Sequence, residues 1–315
     1  MLRKRSYFRP ITSVVGACVV FCGVAGATAS AETSRAFENL CTPTDPGLEE
    51  LSGMAVIGTS IYGIGDSGSD DRVAELDSNC QVRRWIPVGT PRIDVEDMAS
   101  TEDGRLWLAD IGDNTAVRTN IALIGLDPQT GATSTHSLTY PDRAHDAEAL
   151  LLQKDGLPIV VTKDYMGNSG IYTPRNRETV YELGTGAPTP LAKVGTLTMT
   201  PTRTTGGPIP YAGTMAITGG AVSKDGKVVA LRTYTDVYIY FAPDGDVVKA
   251  LKTTPVRVPA PDEPQGEAIA FTDEGDLLSG SEQLRGPLPP VRVLRDATGT
   301  VQIRTPITAF GALGP

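Results

Sequence analysis

Short apolar runs alternate with turn signals along most of the chain. A representative stretch contains the runs Leu106–Ala109, Ile121–Leu126 and Thr133–Leu138, separated by segments rich in Gly, Asp, Asn and Pro. Runs of this length between turn residues predict β-strands, and Asx-Gly between two runs predicts a hairpin. Helical periodicity over ten or more residues does not occur after the N-terminal segment. The pattern therefore predicts an all-β domain of antiparallel strands.

The predicted strands fall into repeated units, each opened by a short signature of acidic, small and apolar residues. Four copies are clear and one is degenerate; in chain order they are Glu49–Ala55, Asp94–Ala99, Asp146–Leu150, Thr218–Val222 (degenerate) and Gln265–Ala270. In the second to fifth units the signature is followed by a turn that ends in Gly, which is Asp-Gly in three of them, then by an apolar strand and two further strands. A period of about 45 to 50 residues with four strands per repeat is typical of propeller blades.

We therefore predict a single β-propeller of four-stranded antiparallel blades, with five blades and, as the alternative, six. The predicted repeats lie near 47–93, 94–145, 146–200, 218–264 and 265–310. Residues 201–217, rich in Pro, Gly and Thr, are predicted to be an insertion, and a poorly formed sixth blade there is the alternative. We expect ring closure near residues 37–41 and a last strand near 301–308.

An export signal precedes this domain. Basic side chains between residues 3 and 9 are followed by an uncharged apolar stretch at 11–26 and by Ala29-Ser30-Ala31. This order is that of a secretory signal peptide. We predict a signal peptide over 1–31 and a propeller domain over 32–315, located outside the cytoplasm in the medium or the cell envelope. An uncleaved anchor and a lipoprotein attached at Cys18 are the open alternatives.

Signal cleavage leaves two cysteines, Cys41 and Cys80, in the exported chain. An even pair outside the cytosol predicts a disulfide, with two free thiols as the alternative. Closing a loop of about 40 residues stabilises the fold by about 3 to 4 kcal/mol through the unfolded state.

The charge balance excludes some classes of partner. The full sequence carries 28 Lys and Arg against 37 Asp and Glu, a formal net charge of −9, and loss of the basic leader makes it more acidic. Such a chain repels nucleic acid and anionic lipid. We expect a monomer without nucleic-acid partners or membrane insertion after cleavage, whose partner is a small molecule or an envelope protein.

The repeats also predict a set of acidic residues around one axis. The innermost strands of a propeller run beside its central channel, so a residue repeated at their start forms a ring, here Glu50, Glu96, Glu148 and Glu267. A second polar set follows the second strand of each unit and comprises Asp66, Asp110, Asp113, Asn114, Arg118, Lys163, Asp164, Arg232 and Glu282. Because these two strands are antiparallel neighbours, we expect both sets to converge at one mouth.

Converging carboxylates repel one another unless they are protonated, hydrogen-bonded or bridged by a cation. Oxygen ligands suit a hard cation such as Ca²⁺, whereas neither spacing nor ligand count fits zinc. The expected Ca²⁺ ligands are Glu96, Asp110, Asp113 and Glu148. We expect Lys163 and Arg232 to offset part of the charge. The alternative is structural, with the repeated acids accepting hydrogen bonds from turn amides of neighbouring blades.

Catalytic signals are sparse. His145, beside Asp146, is the candidate general base at the mouth, and a solvated loop histidine is the alternative. The run Gly65–Gly68 is similar to the nucleophile segment of trypsin-like proteases, but no histidine precedes it in the exported chain. We interpret it as the first blade's copy of the acidic loop.

Together these motifs resemble a known group of proteins. The signature Asp94–Ala99 with the run Leu108–Asn114 and Arg118, followed by Asp146–Leu150 and Thr162–Asp164, is similar to secreted actinobacterial propellers. These are grouped with the phytase-like, or esterase-like-activity-of-phytase, propellers. The resemblance covers most of residues 47–285, and Leu231–Tyr234 and Gln265–Ala268 also belong to it. Its most specific element is Asp110–Asn114.

The resemblance implies a propeller in which Ca²⁺, held by carboxylates at the channel mouth, binds phosphate and activates water. Two features depart from that pattern: Ala221 stands where an acidic residue is expected, and a set of several phosphate-binding Lys and Arg residues is missing. Two functions are therefore predicted. The favoured one is a binding or scaffold propeller that holds a ligand or partner at the acidic mouth, with Ca²⁺ as a candidate cofactor. The alternative is a Ca²⁺-dependent phosphoric ester hydrolase.

Overall fold

The computed structural model describes residues 35–66 and 68–302. The predicted signal peptide with residues 32–34, Ser67 and residues 303–315 lie outside the described residues. Within the two described ranges, no helix is long and apolar enough to cross a membrane.

The described chain is all-β apart from short helical turns. Its strands follow one another in quartets, which we call units, and the last unit is completed by the first strand of the chain. Unit 1 contains β2 (Leu51–Ile57), β3 (Ser60–Gly65), β4 (Arg72–Leu76) and β5 (Val82–Pro87). Unit 2 contains β6 (Val95–Ser100), β7 (Leu106–Asp110), β8 (Ile121–Leu126) and β9 (Thr133–Thr139). Unit 3 contains β10 (Ala147–Leu152), β11 (Pro158–Thr162), β12 (Asn168–Pro174) and β13 (Thr189–Thr198). Unit 4 contains β14 (Ile217–Val222), β15 (Val228–Thr233), β16 (Asp236–Phe241) and β17 (Val256–Pro259). Unit 5 contains β18 (Gln265–Phe271), β19 (Leu277–Glu282), β20 (Val291–Leu294) and β1 (Glu38–Cys41).

The units form three four-stranded sheets and one eight-stranded sheet. Every pair within a unit is antiparallel, as the Asx-Gly turns predict. The eight-stranded sheet consists of units 2 and 3, which are joined where β9 runs parallel to β13 over the pairs Leu138↔Thr189 and Thr139↔Pro190. In unit 5, β1 pairs with β20, so the N-terminal strand completes a sheet made by the C-terminal strands, as expected for closure near residues 37–41.

The first strands of the units lie side by side around one axis. Strand β2 contacts β6, which contacts β10; β10 contacts β14, β14 contacts β18, and β18 returns to β2. Each neighbouring pair of units encloses its own apolar cluster, such as the one in which Ile64 and Val73 of unit 1 meet Leu106 and Leu108 of unit 2. Both faces of each sheet are thereby buried around a common centre.

Two helices and two 3-10 turns interrupt the strands. The helices are α1 (Val247–Ala250) and α2 (Gly299–Gln302), and the 3-10 turns are Pro46–Leu48 and Ala212–Thr214. The predicted strand near 301–308 is wrong at its first residues, which are helical, and its remainder lies outside the described residues. The physical reason is that β1 already occupies the edge of β20, where the next strand of the chain would otherwise pair.

The segment between β13 and β14 corresponds to the predicted insertion 201–217. Its described residues contain the 3-10 turn but no strand. Thr202 and Thr204 donate side-chain hydrogen bonds to Asp236 at the start of β16 (2.7 and 2.8 Å), and Gly207 donates its N–H to the carbonyl of Glu263. The segment is therefore held against unit 4.

The predicted disulfide is confirmed. Cys41 at the end of β1 is bonded to Cys80 in the turn between β4 and β5, and their Cα atoms are 5.7 Å apart. The bond joins the closing strand of unit 5 to the outer strands of unit 1.

Candidate functional site

The start of each first strand lies beside the end of its second strand. Val95 pairs with Asp110, Ala147 with Thr162, and Gln265 with Glu282. Because the first strands surround one axis, these pairs bring both acidic sets of the sequence to the same end of the channel. We call this end the mouth.

Each first strand carries a register shift just inside the mouth. In β6, for example, Val95 and Asp97 pair with successive residues of β7, so that Glu96 is the extra residue of a β-bulge. The residues that occupy this position around the axis are Ser52, Glu96, Glu148, Thr218 and, within a longer shift, Glu267. Bulges of this kind re-aim side chains and occur next to active sites.

This register corrects two expectations about the ring. Ser52, not Glu50, occupies the position in unit 1, and Glu50 is exposed ahead of β2. In unit 4 the position belongs to Thr218, not to Ala221. Both hydroxyl groups donate a hydrogen bond of 2.8 Å to the backbone of the next unit. Spacing alone misaligned these copies because signatures that share small residues align equally well in more than one register.

Three ring glutamates lie buried together. Glu96, Glu148 and Glu267 are 2%, 3% and 3% exposed. Burial, reinforced by the charges of neighbouring carboxylates, raises the pKa of each well above the ordinary glutamate value. A proton, a basic side chain or a bound cation would stabilise such a cluster by compensating its negative charge.

Four further carboxyl groups surround these glutamates. Burial, followed by a hydrogen bond and charge repulsion from Asp66, raises the pKa of Asp94 to about 7. Burial and neighbouring carboxylates raise the pKa of Glu282 to about 7 as well. We call the whole set the acidic cup; its members are Asp66, Asp94, Glu96, Asp146, Glu148, Glu267, Glu282 and the cation Lys163.

Lys163 provides the positive charge of the cup. Its ammonium pairs with Glu148, lies 3.8 Å from Asp146 Oδ2, and is 5.6 and 5.8 Å from the ring centres of Tyr165 and Tyr234. Burial opposes the charged form, but the surrounding negative charges outweigh it and raise the pKa of Lys163. Lys163 therefore offsets mouth charge, as expected from the sequence.

Arg232 does not share this role. Its side chain is fully buried between units 4 and 5, where Nη2 pairs with Glu263 Oε2 at 2.6 Å and Nη1 donates to Ser279 Oγ at 2.7 Å. In β15 it pairs with Gly219, one step deeper than the mouth. The expectation that Arg232 offsets mouth charge is therefore wrong, because at that depth its side chain serves the contact between sheets.

Two of the four expected Ca²⁺ ligands instead order the loop after β7. Asp110 accepts hydrogen bonds from the N–H groups of Ile93 and Asp94 and pairs with Arg118 at 2.9 Å. Asp113 accepts from the N–H groups of Val117 and Arg118. Both carboxylates therefore have a structural role, but within unit 2 and the connection that enters it, and not between neighbouring blades as the structural alternative had it.

Asp94 and Asp146, and not Asp110 and Asp113, lie beside Glu96 and Glu148. Each stands two residues before its glutamate in the repeated signature, and this spacing was the sequence signal available for finding them. Within the described residues, two groups have carboxylate oxygens that all lie within 4.8 Å of one another: Asp66, Asp94 and Glu96, and Glu96, Asp146 and Glu148.

The other candidate residues lie on the loops of the mouth. Asn114 is exposed, and Asp164 accepts a hydrogen bond from the N–H of Met166 at 2.6 Å. His145 Nε2 lies 2.8 Å from the Tyr172 hydroxyl and 3.0 Å from Asp142 Oδ1. His145 is thus engaged in a local cluster with a tyrosine and an aspartate.

One buried carboxyl group was not singled out from the sequence. Asp97, the residue after Glu96, is fully buried and accepts hydrogen bonds from the N–H groups of Leu150 in unit 3 (2.8 Å) and Gly220 in unit 4 (3.1 Å). Gly53, Ala149 and Gly219 occupy the same register position in other units. Asp97 therefore joins three first strands below the cup.

The cup meets the chemical requirements of a hard cation. Its donors are carboxylate oxygens, and Oε2 of Glu148 and of Glu267 are buried without a hydrogen-bond partner. Gly112 leaves room beside them, since a Cβ there would lie 2.3 Å from Glu96 Oε1 and 2.5 Å from Asp94 Oδ2. Oxygen-only sites of this kind fit Ca²⁺, which takes six to eight oxygen ligands.

No protein-family model matches the sequence, and no curated protein sequence matches it. Among solved structures, glutaminyl cyclase of Myxococcus xanthus is similar at 12% identity and a TM-score of 0.47, covering 82% of this chain and 95% of that chain. A gluconolactonase from Xanthomonas campestris has 10% identity and a TM-score of 0.42, covering 84% of this chain and 92% of that chain. A chain of a nidogen–laminin complex has 8% identity and a TM-score of 0.42, covering 73% of this chain and 72% of that chain. These are β-propeller-type proteins, and at such identities and TM-scores their activities do not transfer to this chain.

Proposed function

We propose that this chain is an exported five-bladed β-propeller that binds a ligand or partner at its acidic cup, with Ca²⁺ as the resident cation. The observation that carries the proposal is Glu148. Its Oε2 is buried without a hydrogen-bond donor, within a group of carboxylates whose oxygens lie close enough to share one ion. A buried, unpaired carboxylate oxygen is costly, and a bound cation removes that cost.

The blade number is supported by packing. The eight-stranded sheet counts as two blades, because only two residue pairs join its halves. Five apolar clusters then separate five units, and the first strands make one closed circuit. Export is supported by the Cys41–Cys80 disulfide, since such bonds persist in oxidising compartments.

Ca²⁺ would be held by Glu96, Asp146 and Glu148, and Glu96 also belongs to the second group, with Asp66 and Asp94. When bound, a hard divalent cation supplies positive charge that attracts oxygen atoms of a ligand. The residues of the chain then have two tasks: the bulges aim the glutamates inward, and Lys163 holds Glu148 in place.

The phosphoric ester hydrolase implied by the resemblance to phytase-like propellers is less well supported. A phosphate ester needs cationic side chains to compensate its charge. The three cationic side chains that the sequence offered for this task are engaged in ion pairs: Lys163 with Glu148, Arg118 with Asp110, and Arg232 with Glu263. We therefore favour binding over hydrolysis.

Thermal unfolding with and without Ca²⁺ tests the proposal. Ca²⁺ should raise the melting temperature of the wild type, because it binds the folded state alone. Glu148→Gln should abolish the rise, and so should Gly112→Ala, whose methyl group would fill the space beside Glu96. The controls are Glu102→Gln, an exposed carboxylate at the other end of the channel, and Gly89→Ala, where a Cβ would meet nothing.

An equal rise in Glu148→Gln and wild type would refute the cup as the site, and no rise in the wild type would refute a resident Ca²⁺. A parallel assay of p-nitrophenyl phosphate hydrolysis in Ca²⁺ decides between binding and catalysis. We expect no turnover above a protein-free control, and turnover lost in Glu148→Gln would establish the hydrolase instead.

A further inference from the structure

The loops around the mouth come from two kinds of connection. Because each unit begins its first strand and ends its second strand at the mouth, the connections from second to third strand and from one unit to the next lie there. The turns between first and second strands and the connections between third and fourth strands lie at the opposite end.

Exposed apolar side chains concentrate on the mouth loops. Among the described residues, seven large hydrophobic side chains are exposed, and six of them stand on connections at the mouth. We call these six the apolar rim: Ile93, Val117, Met166, Ile209, Tyr211 and Leu284. Val117 is 73% exposed and Met166 is 78% exposed. The seventh, Tyr181, stands on the connection between β12 and β13 at the other end.

The opposite end has a different surface. Three of its turns between first and second strands are Asp-Gly turns, and its channel opening is edged by the ion pairs Lys154–Glu102 and Lys224–Asp273. Single exposed apolar residues are ordinary on a protein surface, but these six are confined to the loops around one opening. The asymmetry between the two ends therefore points to the mouth as the docking side.

The charge at the centre of this surface defines what docks there. Carboxylates outnumber cations in the acidic cup, and Lys163 is already paired with Glu148. Anionic partners, including anionic lipid, are repelled, whereas an ammonium or guanidinium group is attracted. A polypeptide can present a Lys or Arg side chain flanked by apolar side chains. Interfaces often have this arrangement, in which a central residue provides most of the binding energy and the contacts around it exclude water.

We propose that the apolar rim and acidic cup together form a docking surface for a polypeptide that presents a Lys or Arg side chain flanked by apolar residues. The basic side chain pairs with Glu267 and Glu282, which are not among the proposed Ca²⁺ ligands, and the flanking residues pack on the rim. This inference rests on the proposed use of the cup as a cation-binding site, and it adds the class of partner and the residues that contact it.

A displayed library of random 12-residue peptides tests the inference with a defined probe. Peptides selected on the wild type should be enriched in Lys or Arg with apolar neighbours. A synthetic copy of the strongest binder should bind the triple variant Val117→Ser, Met166→Ser, Leu284→Ser about tenfold more weakly or worse, measured by fluorescence anisotropy. Tyr181→Ser, which removes the exposed apolar side chain of the other end, should bind it as the wild type does.

Selected peptides without basic residues, or equal binding by the triple variant, would overturn the inference. Co-sedimentation with vesicles of phosphatidylcholine, with and without phosphatidylserine, tests whether the rim binds lipid instead. If the wild type sediments with the vesicles and the triple variant does not, the rim binds lipid and the inference of a polypeptide partner is overturned. The triple variant keeps every residue of the cup, so its Ca²⁺-induced rise in melting temperature should persist. A failure of the Ca²⁺ proposal is thereby distinguished from a failure of the docking surface.

Discussion

Neighbouring acidic residues in one signature have unrelated roles because a bulge separates them. Glu96 is the extra residue of the bulge and faces the cup, whereas Asp97 resumes the strand pairing and accepts hydrogen bonds from two other units. Burial raises the pKa of Asp97 well above the ordinary aspartate value. The same residue type one position apart is therefore a candidate ligand in one case and a structural joint in the other.

Replacing Asp97 tests that structural role. Asp97→Ala leaves the N–H groups of Leu150 and Gly220 buried without an acceptor, so we expect a loss of about 2 to 3 kcal/mol in the free energy of unfolding. Asp97→Asn keeps one acceptor oxygen and should lose less. Urea denaturation measures both losses. An Asp97→Ala variant as stable as the wild type would show that the hydrogen bonds of Asp97 do not stabilise the contact between the units.

At the residue scale the sequence predicted kinds of side chain better than their positions. Glu96, Glu148, Glu267, Lys163 and Glu282 lie in the cup as the repeats indicated. The other predicted positions depend on strand register and on depth along the strand. Because of the bulge in β2, Ser52 and not Glu50 occupies the ring position, and Arg232 lies one residue too deep in β15 to reach the mouth. An alignment of the repeats gives neither the register nor the depth.

At the scale of elements, contacts between units decide how the sheets are held. Units 4 and 5 share a buried network in which Glu263 accepts from Arg232, from Ser279 and, at 3.4 Å, from Arg292. Gly266 is required beside it, because a Cβ there would overlap the Arg232 guanidinium. The network explains why a fully buried arginine is tolerated in β15.

Replacing Arg232 alone should destabilise the fold more than replacing both Arg232 and Glu263. Arg232→Met leaves the Glu263 carboxylate buried and without its main partner, and we expect a loss of about 3 to 5 kcal/mol. Adding Glu263→Gln removes the uncompensated charge and should restore part of the stability. Chemical denaturation of the single and double variants checks this order; a double variant that is less stable than Arg232→Met would contradict it.

Element types were largely predictable, since Asx-Gly turns and short apolar runs produce hairpins wherever they recur. Strand β9, for example, covers the predicted Thr133–Leu138 and one further residue. The helix at Gly299–Gln302 was not predictable, because it depends on β1, distant in sequence, having taken the edge of β20. Local patterns do not reveal which edge is already occupied.

At the scale of the whole molecule, the acidic cup makes stability depend on pH. Asp94 and Glu282 have pKa values of about 7 when folded, against 3.8 and 4.5 as ordinary values. A carboxyl group with a raised folded-state pKa contributes stability that is present below its unfolded pKa and is lost as the pH rises through its folded pKa. Asp142, whose pKa is lowered to about 2, changes the stability of the fold only at more acidic pH.

Without divalent cations, the melting temperature should therefore fall between about pH 5 and about pH 7. The double variant Asp94→Asn, Glu282→Gln should show a smaller fall, and Glu102→Gln should follow the wild type. Calorimetry in EDTA over this range provides the measurement. A melting temperature that is constant or rises across the window in the wild type would contradict the assigned shifts.

The position of a bound cation in a crystal shows whether the acidic cup is the cation site. Ytterbium, which takes oxygen ligands as Ca²⁺ does and scatters X-rays anomalously, can be soaked into crystals of the exported chain. We expect an anomalous peak among Glu96, Asp146 and Glu148, and no such peak in Glu148→Gln. An ordered cation elsewhere on the molecule, or an empty cup at saturating ytterbium, would contradict it.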